Sequence, residues 1–214
     1  MTQSPLNFLH YQISTSAIAI GERVKGGTFR PCIESIPTST LKGCFKEFFG
    51  CSDVSAIGFF KKETLDKDIF TYAPFDTITG TAKLPIFLEY LKPSQNNTAV
   101  LGDIYLLKNE AAENLPRNKS TEIFLGALKS KGFGRCELSF IDEIKPEINK
   151  GYLKGRLLEE ECHSFGINRI IKPCYGYLFY PTSRIEGVYK RALFEDSIVE
   201  GPEFLIGEKY EYDC

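Results

Sequence analysis

Helical periodicity surfaces in only two places along this chain, and the other apolar residues fall in short alternating runs. The first place is "TSTLKGCFKEFF". There Leu41, Cys44, Phe45, Phe48 and Phe49 recur at i, i+3, i+4, i+7 and i+8, with Thr38 placed as N-cap and Gly50 as the stop. The second begins near Ser120, where Ile123, Phe124, Ala127 and Leu128 would share one helical face and Gly132 would end it. By contrast, "LNFLHYQIST", "VSAIGFFKK", "IFTYAPF", "LPIFLEYL" and "TAVLGDIYLL" read as strands, broken where Pro or Gly falls, and "AIAI" extends the first. "GRCELSFI" is a further strand after the second helix.

The order is therefore strand, helix, several strands, helix, strand. That is the plan of an α+β, ferredoxin-like (RRM-like) domain, with two helices on one face of an antiparallel sheet. Beyond residue 142 no helical period is found. "GYLKGRLLEE", "YGYLFYP", "GVYKRALF" and "EFLIGEKYEY" predict short strands, so residues 142–214 form a β-rich extension packed on a domain of residues 1–141. With 43% hydrophobic residues over 214 positions the chain can build such a core. No repeat or linker separates the halves.

Charge narrows the function classes. A net charge of −2 excludes a protein coated in basic residues, while leaving room for a local basic strip. The start, "MTQSPLNFLHYQISTSAIAIGERV", has no basic leader and no uninterrupted apolar core, so neither a signal peptide nor a membrane anchor is expected, and the location expected is cytoplasmic. Cysteines at 32, 44, 51, 136, 162, 174 and 214 form no C-x-x-C pair, and their spacing fits no zinc pattern. They read as scattered buried thiols.

Two stretches concentrate cations beside glycines or hydroxyls. In "LGALKSKGFGRCEL", Lys129, Lys131 and Arg135 surround Gly132 and Gly134, with Ser130 and Phe133 between them. Glycine lets backbone N–H groups approach a phosphate, the cations add charge-assisted bonds, and Phe133 offers a face for a base or an anchor for the loop. The bland alternative is a glycine-stopped helix whose lysines complement its dipole. In "GTFRPCIESIPTSTLKG", Arg30 precedes a helix start dressed with Thr38, Ser39 and Thr40, with Lys42 in the first turns; ordinary hydroxyl capping competes with an anion site.

Together these stretches resemble a known family. "IPTSTLKGCFKEFF" is similar to the "IPGSSLKGALR" element of the RAMP superfamily, the RNA-binding proteins of CRISPR systems, and "LGALKSKGFGRCEL" is similar to its glycine-rich loop, close to "GGLRSRGFGRV". The loop's form looks most like that of type III effector subunits. The resemblance implies a subunit that holds CRISPR RNA beside other subunits of an effector complex. It points to Lys129, Ser130, Lys131, Gly132, Phe133, Gly134 and Arg135, with Ser39 and Lys42, as the RNA-facing residues, and Arg30 joins them from its basic loop. Some eighty residues follow the loop here, more like the subunit that caps the filament and grips the 5′ handle, and "GVYKRALFEDSIVEGPEF" resembles a turn near the end of such proteins. Target-cleaving backbone subunits carry an aspartate before the first element. Between Gly21 and Pro37 this chain has Glu22 and Glu34 but no Asp.

Catalysis rests on two histidines. RNA cleavage to a cyclic phosphate needs a base near the 2′-hydroxyl, and RAMP endoribonucleases often use His with Tyr or Lys. His10 sits mid-strand between Leu9 and Tyr11, and His163 follows three glutamates and a cysteine in "EECHSFG". Neither belongs to a catalytic constellation, and no metal site, P-loop or cofactor motif stands out. "LEEECH" would send adjacent ligands to opposite faces of a strand. The leading expectation is a non-catalytic RNA-binding subunit. An endoribonuclease using His10 or His163, and an interaction subunit without RNA affinity, are its rivals.

Overall fold

The computed structural model describes residues 6–21, 27–51, 53–182 and 186–209. In chain order its first part holds β1 (Phe8–Thr15), α1 (Thr38–Phe49), β2 (Ala56–Phe60), β3 (Leu65–Tyr72), β4 (Ile86–Pro93), β5 (Val100–Leu107), β6 (Thr121–Phe124) and β7 (Arg135–Ile144). The period-2 pattern of β1 sends Leu9, Tyr11 and Ile13 into the main core, while Phe8 faces the opposite way. β1 pairs antiparallel with both β7 and β5, and β5 with β2, giving the sheet order β6-β7-β1-β5-β2 with the short strand Ser35–Ile36 at the far edge. α1 lies on the main-core face, where Leu41, Cys44 and Phe45 are buried.

Three expectations change. Thr38 does not cap α1: Pro37 occupies the N-cap in extended backbone, and Thr38 is the first helical residue. The segment "AIAI" does not extend β1; the chain leaves the sheet, and Ile18 exchanges backbone bonds of 3.0 and 2.8 Å with Leu91 of β4.

The largest correction concerns the second helix, which is absent. Thr121–Phe124 is a strand paired antiparallel to β7, from Thr121 opposite Leu138 to Phe124 opposite Arg135. Residues 125–134 form a tight loop containing one short 3₁₀ turn, Lys129–Lys131. Ile123 and Leu125 enter the core by strand alternation, and Phe124 stacks on Phe48 of α1 at 6.1 Å. A left-handed backbone at Leu128 (φ 54°) rules out helix continuation there. The crossover from β5 contains only a five-residue 3₁₀ turn, Glu110–Asn114, capped by Asn109, whose side chain accepts from the Ala112 N–H at 3.1 Å.

The rest of the chain is β-rich: β8 (Ile148–Leu153), β9 (Arg169–Lys172), β10 (Tyr175–Pro181), β11 (Gly187–Leu193), β12 (Ile198–Pro202) and β13 (Ile206–Lys209). One sheet runs β9-β12-β8-β13, and β10 and β11 form a hairpin whose inner strand pairs with Leu157–Leu158. This unit packs on the reverse face of the first sheet. Phe8, Ile57, Phe59 and Tyr105 share one core with Leu153, Leu157, Phe165, Phe204 and Leu205. The Phe204 ring stacks 4.1 Å from Tyr105 and meets Phe8 edge-on at 4.9 Å. Among the described residues no helix is long and apolar enough to cross a membrane. Of their six cysteines only Cys174 is exposed.

Candidate nucleic-acid interface

The glycine-rich loop is fastened at its base and open at its tip. The Gly134 N–H donates to Ala17 O and its carbonyl accepts from Leu125 N–H, both at 2.8 Å. Lys131, Gly132 and Phe133 donate their N–H groups to Leu128, Lys129 and Leu128 carbonyls respectively. The Gly132 and Gly134 amides are already bonded, so a cradle of these glycine N–H groups around a phosphate is not what this backbone presents. Phe133 is an anchor: it is buried and meets Phe70 and Tyr90 of the β3–β4 hairpin edge-on at 5.3 and 5.0 Å. Its ring is therefore unavailable to stack a base. Because no helix ends here, the dipole that would have repelled anions is absent too.

What remains for a ligand is side chains. Lys129, Ser130, Lys131 and Arg135 are exposed. The Lys129 ammonium lies 3.4 Å from Glu47 of α1, and Arg135 meets Glu122 at 2.6 Å. Both pairs are solvent-exposed and therefore weak, so a phosphate could replace either carboxylate at little cost. The side chains of Lys131 and Ser130 make no hydrogen bond or ion pair among the described residues.

The first stretch does not join the loop into one strip. The loop contacts α1 near Glu47, whereas Lys42 stands about 8 Å back along the axis and about 140° around it. Lys42 is turned to the C-terminal unit, 3.3 Å from Glu161, with the Tyr180 ring 5.9 Å away. Ser39 is half-buried beside it, and the Thr38 hydroxyl is buried without a partner. Arg30 lies on a two-residue strand paired in parallel with Phe87–Leu88, its Nε buried and unpartnered.

The two histidines stand in different surroundings. His10 is clamped: Nε2 is 3.0 Å from Asp103, Nδ1 is 3.1 Å from Asp142, and the ring stacks on Tyr105 at 4.7 Å. Burial alone would lower its pKa, but the bonds to Asp103 and then Asp142 outweigh it, so the pKa lies above the ordinary histidine value. Asp103 is held below the carboxylate range, since the bond from His10 and the nearby Lys61 outweigh its desolvation. With a carboxylate at each nitrogen the imidazolium form is favoured, and a base with a free lone pair is not on offer. His163 is exposed with no side-chain partner among the described residues. Glu34 is paired with Lys67 at 3.3 Å, and Glu22 lies outside the described residues. Among the described residues no group of three or more His, Cys, Asp or Glu could hold a metal ion.

Sequence reasoning missed three features. One is the β3–β4 hairpin that holds Phe133 and leaves Phe75, Ile78 and Leu84 exposed beyond it. Another is the acidic turn Glu159–Glu161 across from Lys42. The third is a cleft of about 870 Å³ between the first sheet and the C-terminal unit. There Lys154 reaches across the Phe59 ring at 5.0 Å, and desolvation lowers its pKa below the usual lysine value. Lys61, Lys62, Lys67 and Arg156 line it with Glu34, Glu63, Asp103, Glu195, Asp196 and Glu208, so it has no net pull on phosphate. Each feature joins residues far apart in the chain, and local pattern does not report such pairing.

No family model matches the chain, and no curated protein matches it. Among solved structures, it is similar to a chain of the type III-B Cmr-beta complex bound to cognate target RNA, with a TM-score of 0.56 at 10% identity, covering 89% of this chain and 86% of that one. A second likeness is to a chain of the same complex bound to cognate target RNA and AMPPnP, with a TM-score of 0.57 at 10% identity over 91% of this chain and 86% of that one. At that identity the shared property is the fold, a mixed α+β, sheet-dominated architecture.

Proposed function

We propose that this chain is an RNA-binding subunit of a type III-like CRISPR effector complex, holding the 5′ handle or the backbone of the guide RNA, without a catalytic role of its own. The observation that carries the reading is the loop between β6 and β7, which is bolted to the core through Gly134 and Phe133 and lifts Lys129, Ser130 and Lys131 into solvent. The order β7-β1-β5-β2, antiparallel throughout, supports a ferredoxin-like core whose second helix has been reduced to an edge strand and a 3₁₀ turn. The likeness to chains of an RNA-bound effector complex supports the same assignment. The partners proposed are CRISPR RNA and neighbouring subunits. The occupied nitrogens of His10 favour binding over cleavage, and leave the endoribonuclease reading with the lone His163.

A second reading has its own observation. Lys42, Lys129 and Arg135 all face carboxylates of the same chain, as an interaction subunit without RNA affinity would have them. Lys129→Glu with Lys131→Glu separates the two. Both side chains are exposed, so folding should be unchanged. On the RNA-binding reading affinity for a labelled single-stranded RNA falls more than about tenfold and the salt slope flattens by about two contacts. Unchanged affinity in the folded double variant removes the loop from the interface, and no binding by the parent at low salt favours the interaction subunit.

A further inference from the structure

The turn Glu159–Glu161 is tethered mainly to its own unit. Glu160 pairs with Lys190 of β11, and Glu159 with Arg191 at 3.3 Å and the Tyr175 hydroxyl at 3.1 Å. Glu161 alone of the three reaches across to α1, where its Oε1 lies 3.3 Å from the Lys42 ammonium. As a structural strut this contact is poorly built. The Glu161 side chain is 11% exposed, yet its second oxygen, Oε2, is buried with no partner, and so is the Thr38 hydroxyl one helical turn before Lys42. Ion pairs that serve stability satisfy both oxygens, because desolvation otherwise offsets the attraction. A phosphate, with more acceptor oxygens, could take the Lys42 ammonium and the Thr38 hydroxyl together.

Resting on the reading that RNA meets this protein, we infer that Glu161 closes a phosphate site on α1 in the free chain, standing where an RNA phosphate would bind Lys42, so that RNA must displace it. The cation read from the sequence as RNA-facing is then present but occupied, and the C-terminal unit regulates its availability.

The test uses the full chain, with Glu161→Gln, Lys42→Ala and the two combined. Each is titrated with a labelled single-stranded RNA over a salt series and, separately, with inorganic pyrophosphate by calorimetry. The expected pattern is conditional. Lys42→Ala alone changes RNA affinity less than about twofold, Glu161→Gln binds about three- to tenfold tighter with a salt slope steeper by about one, and the double variant loses that gain. Pyrophosphate affinity should rise in Glu161→Gln and return in the double variant. A folded Glu161→Gln with unchanged affinity for both probes, or a gain that survives loss of Lys42, overturns the inference. If pyrophosphate binding gains in a Lys42-dependent way while no variant binds RNA, the gate stands and the RNA reading falls. Should Glu161→Gln fail to fold, Glu161→Ala takes its place, alone and combined with Lys42→Ala: a gain in affinity that needs Lys42 supports the closed site, and a folded Glu161→Ala with unchanged affinity overturns it.

Discussion

His10 illustrates how a residue that invites a catalytic reading becomes a strut once its neighbours are known. It ties three strands of one sheet: β1 through its own backbone, β5 through Asp103 and β7 through Asp142. The β-bulge between His10 and Tyr11 on the β7 side aligns Asp142 with the ring. Because its folded pKa is raised above 6.5, the clamp contributes its stability in full below that value and loses it as pH rises through the higher folded value. Urea denaturation from about pH 6 to about pH 8 should therefore show the parent protein losing stability with pH more steeply than His10→Gln, whose side chain does not titrate. Parallel pH dependences would mean that the ring is neutral in the folded state and that the two carboxylates do not hold a proton on it.

Among the elements, the loop between β6 and β7 shows which part of a motif the fold uses and which part it leaves for a ligand. Gly132 and Gly134 have left-handed backbones, at φ 91° and φ 75°. A methyl at Gly132 would point into open space, but one at Gly134 would lie 1.9 Å from the Leu125 carbonyl oxygen. Gly132→Ala should cost about 1–2 kcal/mol of backbone strain. Gly134→Ala should cost more, since it must also part the Leu125 bond that closes the loop. Equal midpoints in denaturant for the two variants would show that the loop base yields freely. Much of this was legible: α1, the main strands and the placing of a glycine loop just before β7 follow from periodicity and stop signals. The second helix was misread because Ile123, Phe124, Ala127 and Leu128 satisfy a helical spacing that says nothing of the strand waiting to pair. An edge position along β7 decided in favour of alternation. The cations were legible by type, but their carboxylate partners were not, since Lys42 and Glu161 lie 119 residues apart.

For the whole molecule, the question is whether the C-terminal unit is an appendage or half of one structure. The sequence division at residues 141 and 142 falls inside β7, which runs on to Ile144. The reverse face of the first sheet has no core of its own: Phe8, Ile57, Phe59 and Tyr105 are buried only because Phe165, Phe204 and their neighbours cover them. Stripping that unit away would expose four large apolar side chains on the strands that hold the sheet together. Folding should therefore be a single cooperative event, in which the Lys42–Glu161 contact adjusts locally without the units parting. Phe204→Ala tests this, since its ring touches both Tyr105 and Phe8. The expected cost is about 3–5 kcal/mol, with residues of β1 and β12 losing amide-exchange protection together. If β12 opened first while β1 kept its full protection, the chain would behave as two domains, and displacement of Glu161 by RNA could then come from detachment of the whole unit.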